Sequence, residues 1–137
     1  MELIRLHKHK IDSVLRRHPW VFSGAIASDV SHLNDGDVVQ VTDHKGLFLA
    51  SGHFQHGTIA VRLLNYDEPE IDQEFFNNKL INSVNLRLKI NLLDSVNSIV
   101  RLVHGEGDSL PGLIVDFYTG VAVVQCHSIG MFRHLDY

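Results

Sequence analysis

The sequence predicts an α+β protein: a small mixed β-barrel followed by a partial α/β segment of one long helix and about three strands. Three observations carry this reading. Short apolar runs separated by Gly-bearing turns fill the first 65 residues, the pattern of a compact barrel or sandwich. Asp67-Glu68-Pro69-Glu70 then breaks the pattern, and Phe75, Phe76, Leu80, Val84 and Leu88 follow at helical spacing. Three further apolar runs come after that helix.

In chain order, Glu2 to Leu6 alternates weakly and reads as a strand. His9 to Arg17 carries Ile11, Val14 and Leu15 at helical spacing, with Pro19 just beyond as a stop. Asn34-Asp35-Gly36-Asp37 is a turn, and Val38 to Thr42 and Leu47 to Ser51 are strands joined by Asp43-His44-Lys45-Gly46. Ile59 to Leu64 completes the first block. Acids at Glu70, Asp72 and Glu74 suit the start of the long helix, which runs to about Ile90. Asn91 to Asn97 is turn-rich. Ile99 to Val103, Leu113 to Phe117 and Val121 to Cys126 read as strands, and Gly130 to Tyr137 begins another helix. Three strands against one helix leave sheet edges open, as in a domain cut short or completed by a partner.

At 137 residues, 45% hydrophobic and 20% charged, the chain is globular and large enough for a core without staples. No apolar run approaches the ~20 residues of a membrane span, so no membrane role is expected. The N-terminus is charged from Glu2 and is not a secretory signal; the cytoplasm is the default compartment. Cys126 is the single cysteine, which excludes disulfide scaffolds and thiolate zinc sites. Of ten histidines, His7-x-His9 and His53-x-x-His56 are the closest pairs, but spacing supplies no third ligand and no metal is expected.

The net charge of −4 hides an asymmetry. Residues 1–64 hold seven Lys/Arg against six Asp/Glu, and residues 65–137 hold five against ten. Between Arg5 and His18, Arg5, Lys8, Lys10, Arg16 and Arg17 face Asp12 alone. A local patch of this kind can hold phosphates on an acidic protein. Trp20 and Phe22 follow it. By pattern they pack as core behind the helix, with Arg17 on the rim, in preference to stacking on unpaired bases.

The stretch from Arg101 to Gln125 is the most unusual. Two strands flank a connection fixed by Gly105, Gly107, Pro111 and Gly112 and carrying Glu106 and Asp108. A hairpin needs only two turn residues, so a longer Gly/Pro-fixed loop is a functional candidate. Glu106 and Asp108 lack a nearby nucleophile and suit loop-capping roles better than acid–base catalysis. Gly105-x-Gly107 does not open a helix, and no P-loop, Ser-centred elbow or His-Glu-x-x-His run occurs. No catalytic or cofactor-binding residues are assigned.

Two passages match a family together. Arg17-His18-Pro19-Trp20-Val21-Phe22-Ser23-Gly24-Ala25-Ile26, with Gly36-Asp37-Val38-Val39, Gly46-x-Phe48-Leu49-Ala50 and Ile59-Ala60-Val61-Arg62, resembles the N-terminal PUA domain of bacterial rRNA 5-methylcytosine methyltransferases. Glu106-Gly107-Asp108-x-Leu110-Pro111-Gly112-Leu113-Ile114-Val115-Asp116 resembles the signature that opens their central α/β domain, and Gln125 matches the glutamine closing its next strand. Ser109 stands where that family has a glycine.

The resemblance implies a PUA-like RNA-binding domain over residues 1–66 and the truncated N-terminal part of a central domain over 67–137. The Rossmann-like methyltransferase domain, with its S-adenosylmethionine loop and catalytic cysteines, has no counterpart here, and Cys126 does not inherit a nucleophile's role. The expected function is therefore RNA binding, with rRNA as the partner. Arg5, Lys8, Lys10, Arg16, Arg17 and Trp20 would contact it, and the loop of Glu106, Asp108, Pro111 and Gly112 would shape the rim of a cleft served by a catalytic domain elsewhere. No catalysis is expected from this chain alone. The rival expectation is a protein-interaction module, such as a homodimer formed through the open edges of the second block.

Overall fold

The computed structural model describes residues 1–94 and 99–137. The first block holds β1 (Glu2–Arg5), α1 (Asp12–Leu15), β2 (Trp20–Phe22), β3 (Val38–Thr42), β4 (Phe48–Phe54) and β5 (Ile59–Asn65). The second holds α2 (Gln73–Lys89), β6 (Ile99–His104), β7 (Leu113–Tyr118), β8 (Val121–Cys126) and α3 (Ile129–Arg133). The α+β class and the single long helix agree with the sequence. The turn-rich passage expected over residues 91–97 lies partly outside the described residues.

The five-stranded sheet runs in the order β1-β3-β4-β5-β2. β1 pairs with β3 in parallel, and the other neighbours are antiparallel. The expected barrel is realised as a sheet whose strands do not close. β1 and β2 are only four and three residues long, and the chain leaves β2 into a 3₁₀ turn at Ser23–Ala25. The outer edge of β1 meets that returning chain through an isolated Leu6–Ile26 bridge, flanked by His7 N–H to Ala25 O and Ala27 N–H to Arg5 O.

Alternation along the strands sends Ile4, Leu6, Val39, Val41, Ala50, Phe54, Val61 and Leu63 into one core. Each such burial contributes roughly 1.5–3 kcal/mol for the larger side chains. β4 and β5 approach closely at Gly52, where a Cβ would lie 2.1 Å from the Arg62 carbonyl oxygen. Leu64 points the opposite way from Leu63. It joins Ile71, Phe76, Val103, Leu110, Leu113 and Met131 in a second core. β5 therefore serves both cores, and the second block packs against the first through the same sheet.

The helix expected over His9–Arg17 shrinks to one turn. Ile11 offers no side-chain acceptor at its start, and only Val14 is buried. A turn this short persists only by packing. It closes in a Schellman motif, with Arg17 N–H bonded to Val14 O and His18 N–H to Ser13 O. α2 is capped in the ordinary way: Asp72 Oδ1 accepts from Phe75 N–H at 2.8 Å.

The second sheet runs β6-β7-β8, all antiparallel. β8 is an edge strand whose Val121, Val123 and Val124 are exposed. α3 begins at a Ser128 cap and lies against β4, where Gly130 sits directly over the His53 ring. His53 is buried and stacks on His134 at 4.8 Å, yet among the described residues neither of its ring nitrogens meets a hydrogen-bond partner. Burial, helped by the charges of His134 and Arg62, pushes its pKa down to about 3.

Candidate nucleic-acid interface

The connection between β6 and β7 is shaped by two acids with separate tasks. Gly105–Asp108 forms a 3₁₀ turn. Asp108 faces inward and pairs with Arg87 of α2 through both carboxylate oxygens, the second at 2.7 Å from Nη2. It also accepts from His104 N–H at 2.6 Å. Arg87 completes its bonding with the carbonyls of Arg101 and Ser83. Burial pushes the Asp108 carboxyl up, but the Arg87 and His104 hydrogen bonds and the guanidinium charge outweigh it and hold it low.

Leu110 to Leu113 closes with a Leu113 N–H to Leu110 O bond at 3.0 Å. Pro111 followed by Gly112 at φ +89° is the signature of a type II turn, which needs a glycine there. A Cβ on Gly112 would also lie 2.7 Å from Ser128 Oγ, the cap of α3.

Glu106 points outward. Its Oε1 accepts the indole N–H of Trp20 at 2.9 Å, joining the loop to β2 of the first sheet. Trp20 lies opposite Arg62 in the β2–β5 register, so both project on one face. Together with His104, Glu106, Ile114 and His127 they line an open cleft of about 210 Å³ between the two sheets. Only Val21 of the β2 triplet is buried. Trp20 is half-buried and Phe22 is 45% exposed. The core reading for this aromatic pair is thus corrected: the strand alternation turns both outward. His18 and Phe22 meet the indole edge-on, at 5.8 and 6.3 Å between ring centres.

A second hollow adjoins across Glu106, lined by Arg17, Tyr66, Asp67, Lys79 and Ser109 among others. Arg17 holds a left-handed backbone at φ +58°, the position glycine usually takes after a helix. Its guanidinium bonds Asp67 at 2.8 Å and lies over the Tyr66 ring. Burial, with the Arg17 charge, pushes the Lys79 amine below its ordinary value against the pull of Asp67. The Arg17–Asp67 pair is solvent-exposed and contributes little to stability.

The structure therefore gathers some of the expected residues and separates others. Arg17, Trp20, Glu106 and Gly112 line the two hollows, with Pro111 buried in the turn behind them. Asp108 braces the loop from within. Arg5 lines a different concavity with Leu3, Ser28 and Gln40. Lys8, Lys10 and Arg16 are exposed, line neither hollow and form no ion pair among the described residues. The basic surface does not come from one helix, because α1 is a single turn. It is assembled from Arg17 just after α1, Arg62 on β5, Lys79 on α2, His104 at the end of β6 and His127 just after β8. Arg62, Tyr66, Lys79, His104 and His127 were not singled out by the sequence. Arg62 carried a usable signal, as a charge on an otherwise apolar strand.

Cys126 is half-buried and burial pushes its thiol up, the reverse of an activated nucleophile. Among the described residues, no three His, Cys, Asp or Glu side chains gather as metal ligands. No helix among them is long and apolar enough to cross a membrane.

The family of PUA-like domains matches residues 4–66. The ribosomal RNA large subunit methyltransferase I of Pseudoalteromonas atlantica is 34% identical over 133 residues, which is 96% of this chain and 33% of that protein. The Escherichia coli protein of the same name is 38% identical over 127 residues, 91% of this chain and 32% of its own length. The chain thus spans about a third of the length of these curated relatives. A Streptococcus mutans protein described as a SAM-dependent methyltransferase has a TM-score of 0.80 at 19% identity, over 99% of this chain and 35% of its own. A crystal structure described as a methyltransferase complexed with SAH gives 0.81 at 18%, with the same coverage. These two likenesses establish the fold.

Proposed function

We propose, from a chain with a PUA-like domain over residues 4–66 and homology to ribosomal RNA large subunit methyltransferase I along nearly all its length, that this is the RNA-binding portion of such a methyltransferase. Residues 1–66 grip structured RNA. Residues 67–137 form the N-terminal part of a central domain that positions it for a catalytic domain carried outside these residues. The target, by the motif likeness, is carbon 5 of a cytosine in rRNA. The methyl group comes from S-adenosylmethionine, held by that catalytic domain; among the described residues no glycine-rich loop leads from a strand into a helix start.

One observation carries the reading. The seam between the sheets brings Trp20, Arg62, His104 and His127 together, with Arg17 and Lys79 alongside. Among the described residues Arg62 has no acidic partner; its guanidinium donates only to Gln55 Oε1, at 3.3 Å. Guanidinium groups hold phosphates bidentately, and an outward indole offers a stacking face. On a chain of net charge −4, this local arrangement rather than overall charge must supply the attraction.

Fluorescence anisotropy with labelled large-subunit rRNA fragments tests it. Binding is expected to weaken with rising salt. Arg17→Glu with Arg62→Glu is expected to weaken it roughly tenfold or more and to flatten the salt slope. Arg5→Glu with Lys10→Glu, away from the seam, is expected to do less. Absence of RNA affinity at low salt, or equal losses from both pairs, would overturn the assignment.

A further inference from the structure

We infer that the seam cleft receives a single unpaired nucleotide, its base against the Trp20 ring and its phosphate at Arg62, His104 and His127. This rests on the RNA-binding reading and narrows it.

Size comes first. At about 210 Å³ the cleft is smaller than the ~300–1,000 Å³ of drug-sized ligand sites. One flat ring system fits such a space, and a duplex does not. The chemistry of the lining comes second. One aromatic ring, one guanidinium and two imidazoles face a single carboxylate and the apolar side chain of Ile114. That combination matches a stacked base with an anionic linkage on each side.

Glu106 adds a third argument. Its Oε1 is engaged by the Trp20 indole, which fixes both groups. Its other oxygen has no described hydrogen-bond partner. A carboxylate only accepts, so that oxygen suits an exocyclic amino or ring N–H group on a base edge. In an RNA duplex the ring N–H groups are paired and the amino groups of adenine and cytosine lie in a deep, narrow major groove, so an extruded or single-stranded base presents such donors far better. Finally, the indole is held rather than loose. His18 and Phe22 buttress it edge-on, and the Glu106 bond ties it across the seam. A fixed stacking face costs little further ordering when a base arrives.

Trp20 is the only tryptophan, so its emission reports on this cleft alone. The test uses two RNA hairpins of identical stem, each closed by a non-nucleotide linker in place of a loop, one of them carrying a single bulged nucleotide. The bulged hairpin is expected to quench Trp20 emission and to bind about tenfold more tightly, in line with the stacking of one base. The plain stem is expected to bind by its backbone without quenching. Trp20→Ala, followed by anisotropy, should abolish the preference between the two hairpins; Trp20→Phe serves if the alanine variant does not fold, and should retain part of the preference. Glu106→Gln keeps an acceptor for the indole and should change which bulged base is preferred. Equal affinity for both hairpins, with no quenching, would overturn the nucleotide cleft while leaving RNA binding intact. If neither hairpin binds, both readings fall.

Discussion

His53 is the residue most at odds with its surroundings. Its ring lies beneath Gly130, stacked on His134, with both nitrogens unpartnered. Unfolded, the imidazole titrates near 6.5; folded, burial pushes it to about 3. Between these values the unfolded chain takes up a proton that the folded chain refuses. Stability therefore falls as pH drops through 6.5 and levels off below 3. At pH 5 the loss is about 2 kcal/mol. Thermal melts from pH 7 to pH 4 should show this decline, and His53→Phe should flatten it; an unchanged slope in the variant would refute the account. Gly112 is a second such position. Gly112→Val places a branched side chain at φ +89° and within contact of the α3 cap, so a loss of about 2–4 kcal/mol is expected, read as a lower melting temperature. An unaltered melt would show that the turn can relax. Ser109 also sits in the left-handed region, at φ +58°. Its departure from the glycine of the resembled family thus falls where glycine would be free of strain.

Elements were legible where periodicity is strong. The Phe75, Phe76, Leu80 spacing and the acids at Glu70, Asp72 and Glu74 place α2 well, and each β5-to-β8 run is a strand. The helix expected at His9–Arg17 was not, because three apolar residues at helical spacing say nothing about capping or depth of packing. The placing of Trp20 and Phe22 in the core fails for a related reason. In three residues, two aromatics around a valine fit either face of a strand, and only pairing with β5 decides that Val21 goes inward. β8 raises a separate matter. Its outer edge is unpaired among the described residues, and its valines are exposed. Sedimentation of the chain at rising concentration should show self-association, reduced by Val123→Lys. A strict monomer at all concentrations would remove the case for a pairing edge.

At the scale of the molecule, the candidate site belongs to neither block alone. The sequence named Arg17, Trp20 and Glu106, but as members of separate motifs 86 positions apart at the extremes of the Trp20–Glu106 bond. Nothing in local pattern says that an indole on one sheet will meet a carboxylate on another. That contact arises because β5 serves both cores and seats the second sheet beside β2.

The Arg87–Asp108 pair reaches beyond its own neighbourhood. Arg87 stands near the far end of α2, yet it determines how the Glu106 loop is held. Each residue advances a helix by about 100°, a turn of 3.6 residues being a full circle. Adding or deleting one residue between Asp72 and Arg87 would swing that guanidinium out of its socket and release the loop, though no groove residue had changed. Within this helix, then, the count of residues ahead of Arg87 matters as much as Arg87 itself.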